Sequence, residues 1–116
     1  MTVQILNALT GLHWTAEHPF AAIHVGEGPG IRERLSRANL RNWRFDFACP
    51  EMRIAVEVEG GGWTSGRHTS GVGFAGDLQK YDAAMRLGWS VYRCSPQMVT
   101  SGQAYQTIAI MCGVDQ

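Results

Sequence analysis

The stretch that decides the fold is Trp43-Arg44-Phe45-Asp46-Phe47-Ala48-Cys49-Pro50-Glu51-Met52-Arg53-Ile54-Ala55-Val56-Glu57-Val58-Glu59-Gly60-Gly61-Gly62-Trp63. It predicts two strands joined by a turn at Cys49-Pro50-Glu51. In the first, Arg41 to Ala48, Trp43, Phe45 and Phe47 fall on one side and Arg44, Asp46 and Ala48 on the other. In the second, Arg53 to Glu59, Ile54, Val56 and Val58 share one face, and Ala55, Glu57 and Glu59 the other. Acids inside apolar strands are costly unless a cation meets them. A hairpin about Pro50 brings Asp46 close to Glu57, and Glu59 lies on the same face as Glu57. Three carboxylates gathered this way suit a hard divalent cation, Mg²⁺ or Mn²⁺. Such an ion can activate water and neutralise charge on a phosphodiester.

Around this hairpin the alternation of patterns is that of an α/β domain. Val3, Leu6 and Leu9 stand at helical spacing and end at Gly11. Trp14 to Glu17 reads as a connector and His18 to Val25 as a short strand. Gly26-Glu27-Gly28-Pro29-Gly30 is a loop by composition. Ile31 to Leu40 fits either a basic helix or an irregular arm. After the glycines, Trp63 to Phe74 is a long Gly/Ser/Thr loop, a length that is usually functional or disordered in a small domain. Phe74 to Leu87 predicts a helix with Phe74, Leu78, Tyr81, Ala84 and Met85 on one face and Gly88 as its stop. Trp89 to Cys94 predicts a third strand. Ser95-Pro96 is an N-cap followed by proline at the first helical position. Gly102 breaks that helix, and Ala104 to Met111 gives a last amphipathic stretch. The expectation is one domain with a mixed central β-sheet flanked by helices.

At 116 residues, 45% hydrophobic and 17% charged, the chain can bury one modest core. No apolar run is long enough to span a membrane, and the N-terminus lacks the basic start of a secretory leader. Cys49, Cys94 and Cys112 are odd in number and show no CxxC spacing, which suits reduced thiols and a cytoplasmic setting. The formal net charge is zero, so bulk charge does not drive binding to nucleic acid. The charges are unevenly placed, however. Arg32, Arg34, Arg37, Arg41 and Arg44 crowd one segment, and arginine suits forked contacts to phosphate; the alternative is a solvated helix face.

The spacing of Asp46 and the Glu57-Val58-Glu59 triplet resembles the PD-(D/E)XK nuclease superfamily, and most closely its small phage-type endonucleases related to Vsr-like enzymes. The resemblance continues through Gly66-Arg67-His68-Thr69, Asp77-Leu78-Gln79-Lys80-Tyr81, Leu87 to Arg93 and Pro96 to Val99. It thus covers roughly residues 42 to 100; residues 1 to 41 stand outside it. It implies a restriction-endonuclease-like core and metal-dependent DNA cleavage. Asp46, Glu57 and Glu59 are then the metal ligands. One departure matters: Glu59 occupies the position of the superfamily's lysine. Lys80, the chain's single lysine, is the expected substitute from the following helix, and His68 is a second candidate for the chemistry. Arg32, Arg34, Arg37, Arg41, Arg44 and Arg67 are candidate phosphate contacts, and Trp63 could stack on a base. Glu17 is a weaker ligand candidate. One such domain would nick DNA, or cut both strands as a homodimer, with branched DNA favoured by the lack of a sequence-reading module. The competing readings are a non-catalytic nucleic-acid binding module and, more weakly, a thiol enzyme built on Cys94.

Overall fold

The computed structural model describes residues 1–60 and 71–114. The elements are α1 (Val3–Thr10), β1 (Thr15–His18), α2 (Phe20–Val25), α3 (Ile31–Arg37), β2 (Phe45–Cys49), β3 (Ile54–Val58), α4 (Gly71–Arg86), β4 (Ser90–Cys94), α5 (Pro96–Thr100) and α6 (Gln103–Met111). The four strands form one mixed sheet in the order β1-β2-β3-β4. The first two pairings are antiparallel; β3 and β4 run parallel, with α4 in the crossover. This is the expected α/β class with helices flanking a mixed sheet. No helix among the described residues is long and apolar enough to cross a membrane.

Local chemistry sets most boundaries. Thr2 caps α1 by accepting the Ile5 N–H at 3.2 Å, and Gly11 ends it with φ 72°. Ser95 caps α5 by accepting the Met98 N–H at 3.2 Å, with Pro96 in the first turn. Helix α3 ends in a pair of backbone bonds, Asn39 N–H to Ser36 O (3.0 Å) and Leu40 N–H to Leu35 O (2.9 Å). That pattern places Asn39 in the left-handed region at φ 58°, which asparagine tolerates better than most residues.

Each face of the sheet carries its own core. Leu6, Trp14, Cys49, Ile54, Val56, Cys94, Ala104 and Ile108 form one, built from α1 and α6. Phe20, Ala21, Leu35, Phe45, Ala48, Ala55, Ala84 and Trp89 form the other, under α2, α3 and α4. The alternation along β3 is as expected, with Ile54 and Val56 in the first core and Ala55 in the second.

Four expectations are corrected. Residues 20–25 are helix, not strand, and the strand lies one step earlier, in the supposed connector. Phe20, Ala21 and Ala22 are buried in succession, a pattern a half-buried strand does not produce. Residues 41–44 stay outside the sheet, because the Trp43 N–H turns back on Arg41 O at 2.8 Å. Phe45 and Phe47 part company: Phe45 stacks on Phe20 (4.0 Å, 6° between planes) and meets Trp89 at 5.1 Å, whereas Phe47 packs in the opposite core. Facing this stretch, β1 is distorted at Glu17, φ 52°. Finally, Leu78 and Met85 are 54% and 77% exposed; of the expected face Ala84 is buried as foreseen, joined by its neighbour Ala83. Small residues there let the helix backbone approach closely, which turns the longer side chains outward. The Phe74 side chain lies outside the described residues.

Two structural side chains yield measurable consequences. Arg34 spends its guanidinium on the loop before α3, donating to Gly26 O at 3.0 Å and Pro29 O at 2.7 Å. Arg34→Ala is therefore expected to lower stability by about 1 kcal/mol in urea titration. His18, at the end of β1, is buried, with Nδ1 3.0 Å from Thr15 Oγ1 and its ring 5.4 Å from Trp89. Burial, and then the Arg53 charge, hold its pKa below the ordinary 6.5, against a smaller opposing pull from Glu27. The unfolded chain thus takes up the proton first, and stability falls as pH drops below about 6.5. Denaturation curves between pH 7 and 5 should show that slope in the wild type and a flatter one in His18→Gln.

Candidate active site

The hairpin pairs Phe47 with Val56 and Ala48 with Ala55. Extending that register by one residue sets Asp46 opposite Glu57. The two acids are then locked by each other's strand. The Asp46 backbone N–H donates to Glu57 Oε2 at 2.9 Å, and the Val58 N–H donates to Asp46 Oδ2 at 2.8 Å. Hydrogen bonds from main-chain amides fix a carboxylate more firmly than a mobile side chain could. Glu57 is only 5% exposed, and Asp46 is half-buried.

Helix α4 supplies the opposite wall. Lys80 Nζ forms an ion pair with Glu57 Oε1, and the neighbouring Tyr81 hydroxyl lies 3.1 Å from the same oxygen. Because α4 runs across the face that carries Ala55 and Glu57, consecutive residues Lys80 and Tyr81 both reach the carboxylate. The ammonium also stands 5.9 Å from the Phe45 ring centroid and 5.5 Å from that of Tyr81, which adds cation–π attraction in a partly desolvated place.

Glu59 belongs to a second layer. Its Oε1 accepts from the Tyr81 hydroxyl at 3.0 Å and from Arg93 Nε at 2.8 Å. The Arg93 guanidinium in turn lies 4.3 Å from the Tyr81 ring centroid. Its pKa is held up first by the hydrogen bond to Glu59. Tyr81 is pushed well above the ordinary phenol value, by burial first and then by the Glu57 and Glu59 carboxylates. It therefore remains a protonated donor shared between two acids. The whole constellation sits at the carboxyl ends of the parallel pair β3 and β4, where Glu57 faces Arg93 across the ladder. That is the end of open α/β sheets where ligands usually bind.

The structure thus joins Asp46 and Lys80 through Glu57, and reaches Glu59 through Tyr81. It adds Tyr81, expected only on the apolar face of α4, and Arg93, which no expectation assigned to the site. The sequence signal for them was slight: a tyrosine directly after the lone lysine, and an arginine one residue before the end of β4. Trp63, Arg67 and His68 lie outside the described residues. Among the arginines, Arg32, Arg41 and Arg44 are exposed, Arg37 pairs with Glu33 at 2.6 Å, and Arg34 holds the loop described above. Glu17 is exposed on β1.

Cys94 is buried beneath the site, with Sγ 3.8 Å from Glu57 O. Burial, followed by the Asp46 and Glu59 charges, pushes its thiol pKa up. A protonated, buried thiol is a poor nucleophile, so the site offers no support for thiol chemistry.

For a divalent cation the donor chemistry fits in a limited sense. Asp46 and Glu57 offer hard oxygens on adjacent strands, and Asp46 uses only one of its two oxygens in the Val58 bond. Among the described residues no group of three or more His, Cys, Asp or Glu is arranged to enclose a metal. Mg²⁺ sites can rest on only one or two carboxylates, with water and a substrate phosphate completing the coordination. No family model, no curated protein and no solved structure matches the chain.

Proposed function

We propose that this chain is a metal-dependent DNA endonuclease whose centre is Asp46, Glu57 and Lys80. One observation carries the reading: the lone lysine, on a different element from the acids, closes on the Glu57 carboxylate beside Asp46. A surface ion pair would need none of this burial. The position of Lys80 on α4, against Glu57, supports its reading as the substitute for the lysine that Glu59 displaces. It is compatible with the resemblance to PD-(D/E)XK nucleases.

Asp46 and Glu57 would hold Mg²⁺ or Mn²⁺, which supplies an activated water and offsets charge on the phosphodiester. The protein's own groups do the rest. Lys80 places a positive charge where negative charge develops on the phosphate oxygens. Tyr81 fixes the Glu57 carboxylate by donating to it, and Glu59 and Arg93 fix Tyr81. Arg32, Arg41 and Arg44 are the exposed cations that would grip the DNA backbone. One copy carries one such centre, so it nicks; cutting both strands requires two copies.

The test is a cleavage panel with Mg²⁺ or Mn²⁺ on single strands, duplex, flap, mismatch and four-way junction. Metal-dependent cleavage of at least one substrate supports the reading, with branched or flapped DNA the expected preference. DNA binding with no cleavage anywhere would replace it with a non-catalytic binding module on the same scaffold.

A further inference from the structure

Beside the acidic centre an open cleft of about 1140 Å³ runs between α3, the 38–44 segment and α4. Its wall carries three primary amides, Asn39, Asn42 and Gln79, and the half-buried Trp43. Among the described residues lining it, both charged side chains are arginines, Arg32 and Arg41. Gly76 and Gln79 bring α4 into this wall, and Lys80 follows directly, one helical turn after Gly76. The cleft and the acidic centre therefore share a helix: one side meets the amides, the adjacent side meets Glu57.

We propose that this cleft binds an unpaired stretch of DNA next to the scissile phosphate, an inference that takes its polymer and its cleavage point from the nuclease reading above. The chemistry favours unpaired bases over duplex. Two arginines and a neutral chain supply little of the phosphate neutralisation on which duplex affinity depends. Amide side chains make paired hydrogen bonds to base edges, and an indole stacks on a base face. Those surfaces are open when a strand is splayed and mostly covered when it is stacked and paired. A concave cleft admits a single strand, whereas a duplex presents a convex wall. Among the described residues, an added Cβ at Gly76 would meet nothing within 4 Å.

The experiment is fluorescence anisotropy in EDTA, so that no cleavage occurs, with a labelled oligothymidylate and a blunt duplex of equal length. The wild type should bind the single strand at least tenfold more tightly. Gln79→Glu, an exposed position that gains a carboxylate in the cleft, should weaken single-strand binding by about tenfold and leave duplex binding unchanged. Trp43→Ala should do the same and Trp43→Phe should restore it; Gln79→Glu carries the test if Trp43→Ala fails to fold. Equal affinity for the two DNAs, or a natively folded Gln79→Glu protein that binds the single strand as wild type does, overturns the inference. This binding pattern without cleavage of any substrate supports the cleft while sinking the nuclease reading. Cleavage without any preference for unpaired DNA sinks the cleft and leaves the nuclease standing.

Discussion

Glu57→Ala is expected to lower the single-turnover cleavage rate on the preferred substrate by roughly a thousandfold or more. The reason lies in how many roles one carboxylate holds. It accepts from the Asp46 amide, from Lys80 and from Tyr81. It is also one of the two ligands proposed for a divalent cation. Alanine removes that proposed ligand and releases Lys80 from its fixed position together. DNA affinity should hold or rise slightly, since a negative charge has gone from the site. A rate that falls while affinity stays is the mark of an interaction made in the transition state. A variant that cuts as fast as wild type would show that Glu57 is only a structural partner for Lys80.

Lys80→Ala should lower stability by about 3 kcal/mol. The Lys80 side chain is 16% exposed and the Glu57 side chain 7%, so little water reaches the pair. Removing the ammonium leaves a buried carboxylate with no cation against it, and that penalty exceeds the net worth of the intact pair. The double variant Lys80→Ala/Glu57→Gln removes both charges and should regain a large part of the loss, although the cavity left by the lysine stem persists. Urea denaturation of the three proteins checks this. If the double variant is no more stable than Lys80→Ala, the cost comes from packing against Phe45 and Tyr81 and not from the stranded charge. Folded Lys80→Ala protein should also cleave slowly at saturating DNA, with affinity changed little.

The sheet was legible where period-two alternation and turn residues agree. Ile54 to Glu59 alternates cleanly, Pro50 marks the turn, and the pairing that follows sets Asp46 against Glu57. Lys80 stood out because it is the single lysine and falls on a helix that must pack on the same sheet face. The N-terminal third was less legible. Phe20 to Val25 is too short and too evenly apolar for its period to separate helix from strand, and neighbours at distance decide it. The break between Phe45 and Phe47 was hidden because it arises from stacking on Phe20, twenty-five residues away in the chain. Leu78 and Met85 look like core by spacing, yet alanines 83 and 84 determine which side of α4 meets the sheet. The Tyr81–Glu59–Arg93 layer depends on β4 running parallel to β3, a pairing that local patterns do not encode. The cleft residues Asn39, Asn42 and Gln79 were invisible for the same reason, being joined only where the 38–44 segment and α4 face one cleft.

The central claim is that Asp46 and Glu57 hold a catalytic divalent cation. Asp46→Asn probes it with the least disturbance, because the amide oxygen can still accept the Val58 N–H that Asp46 Oδ2 takes at 2.8 Å. The decisive measurement is single-turnover cleavage by wild type and Asp46→Asn of the best substrate from the panel, with Mg²⁺ and with EDTA. Wild type should cut only with Mg²⁺, and the natively folded variant should not cut at all. Cleavage by Asp46→Asn at the wild-type rate, or by wild type in EDTA, would contradict it.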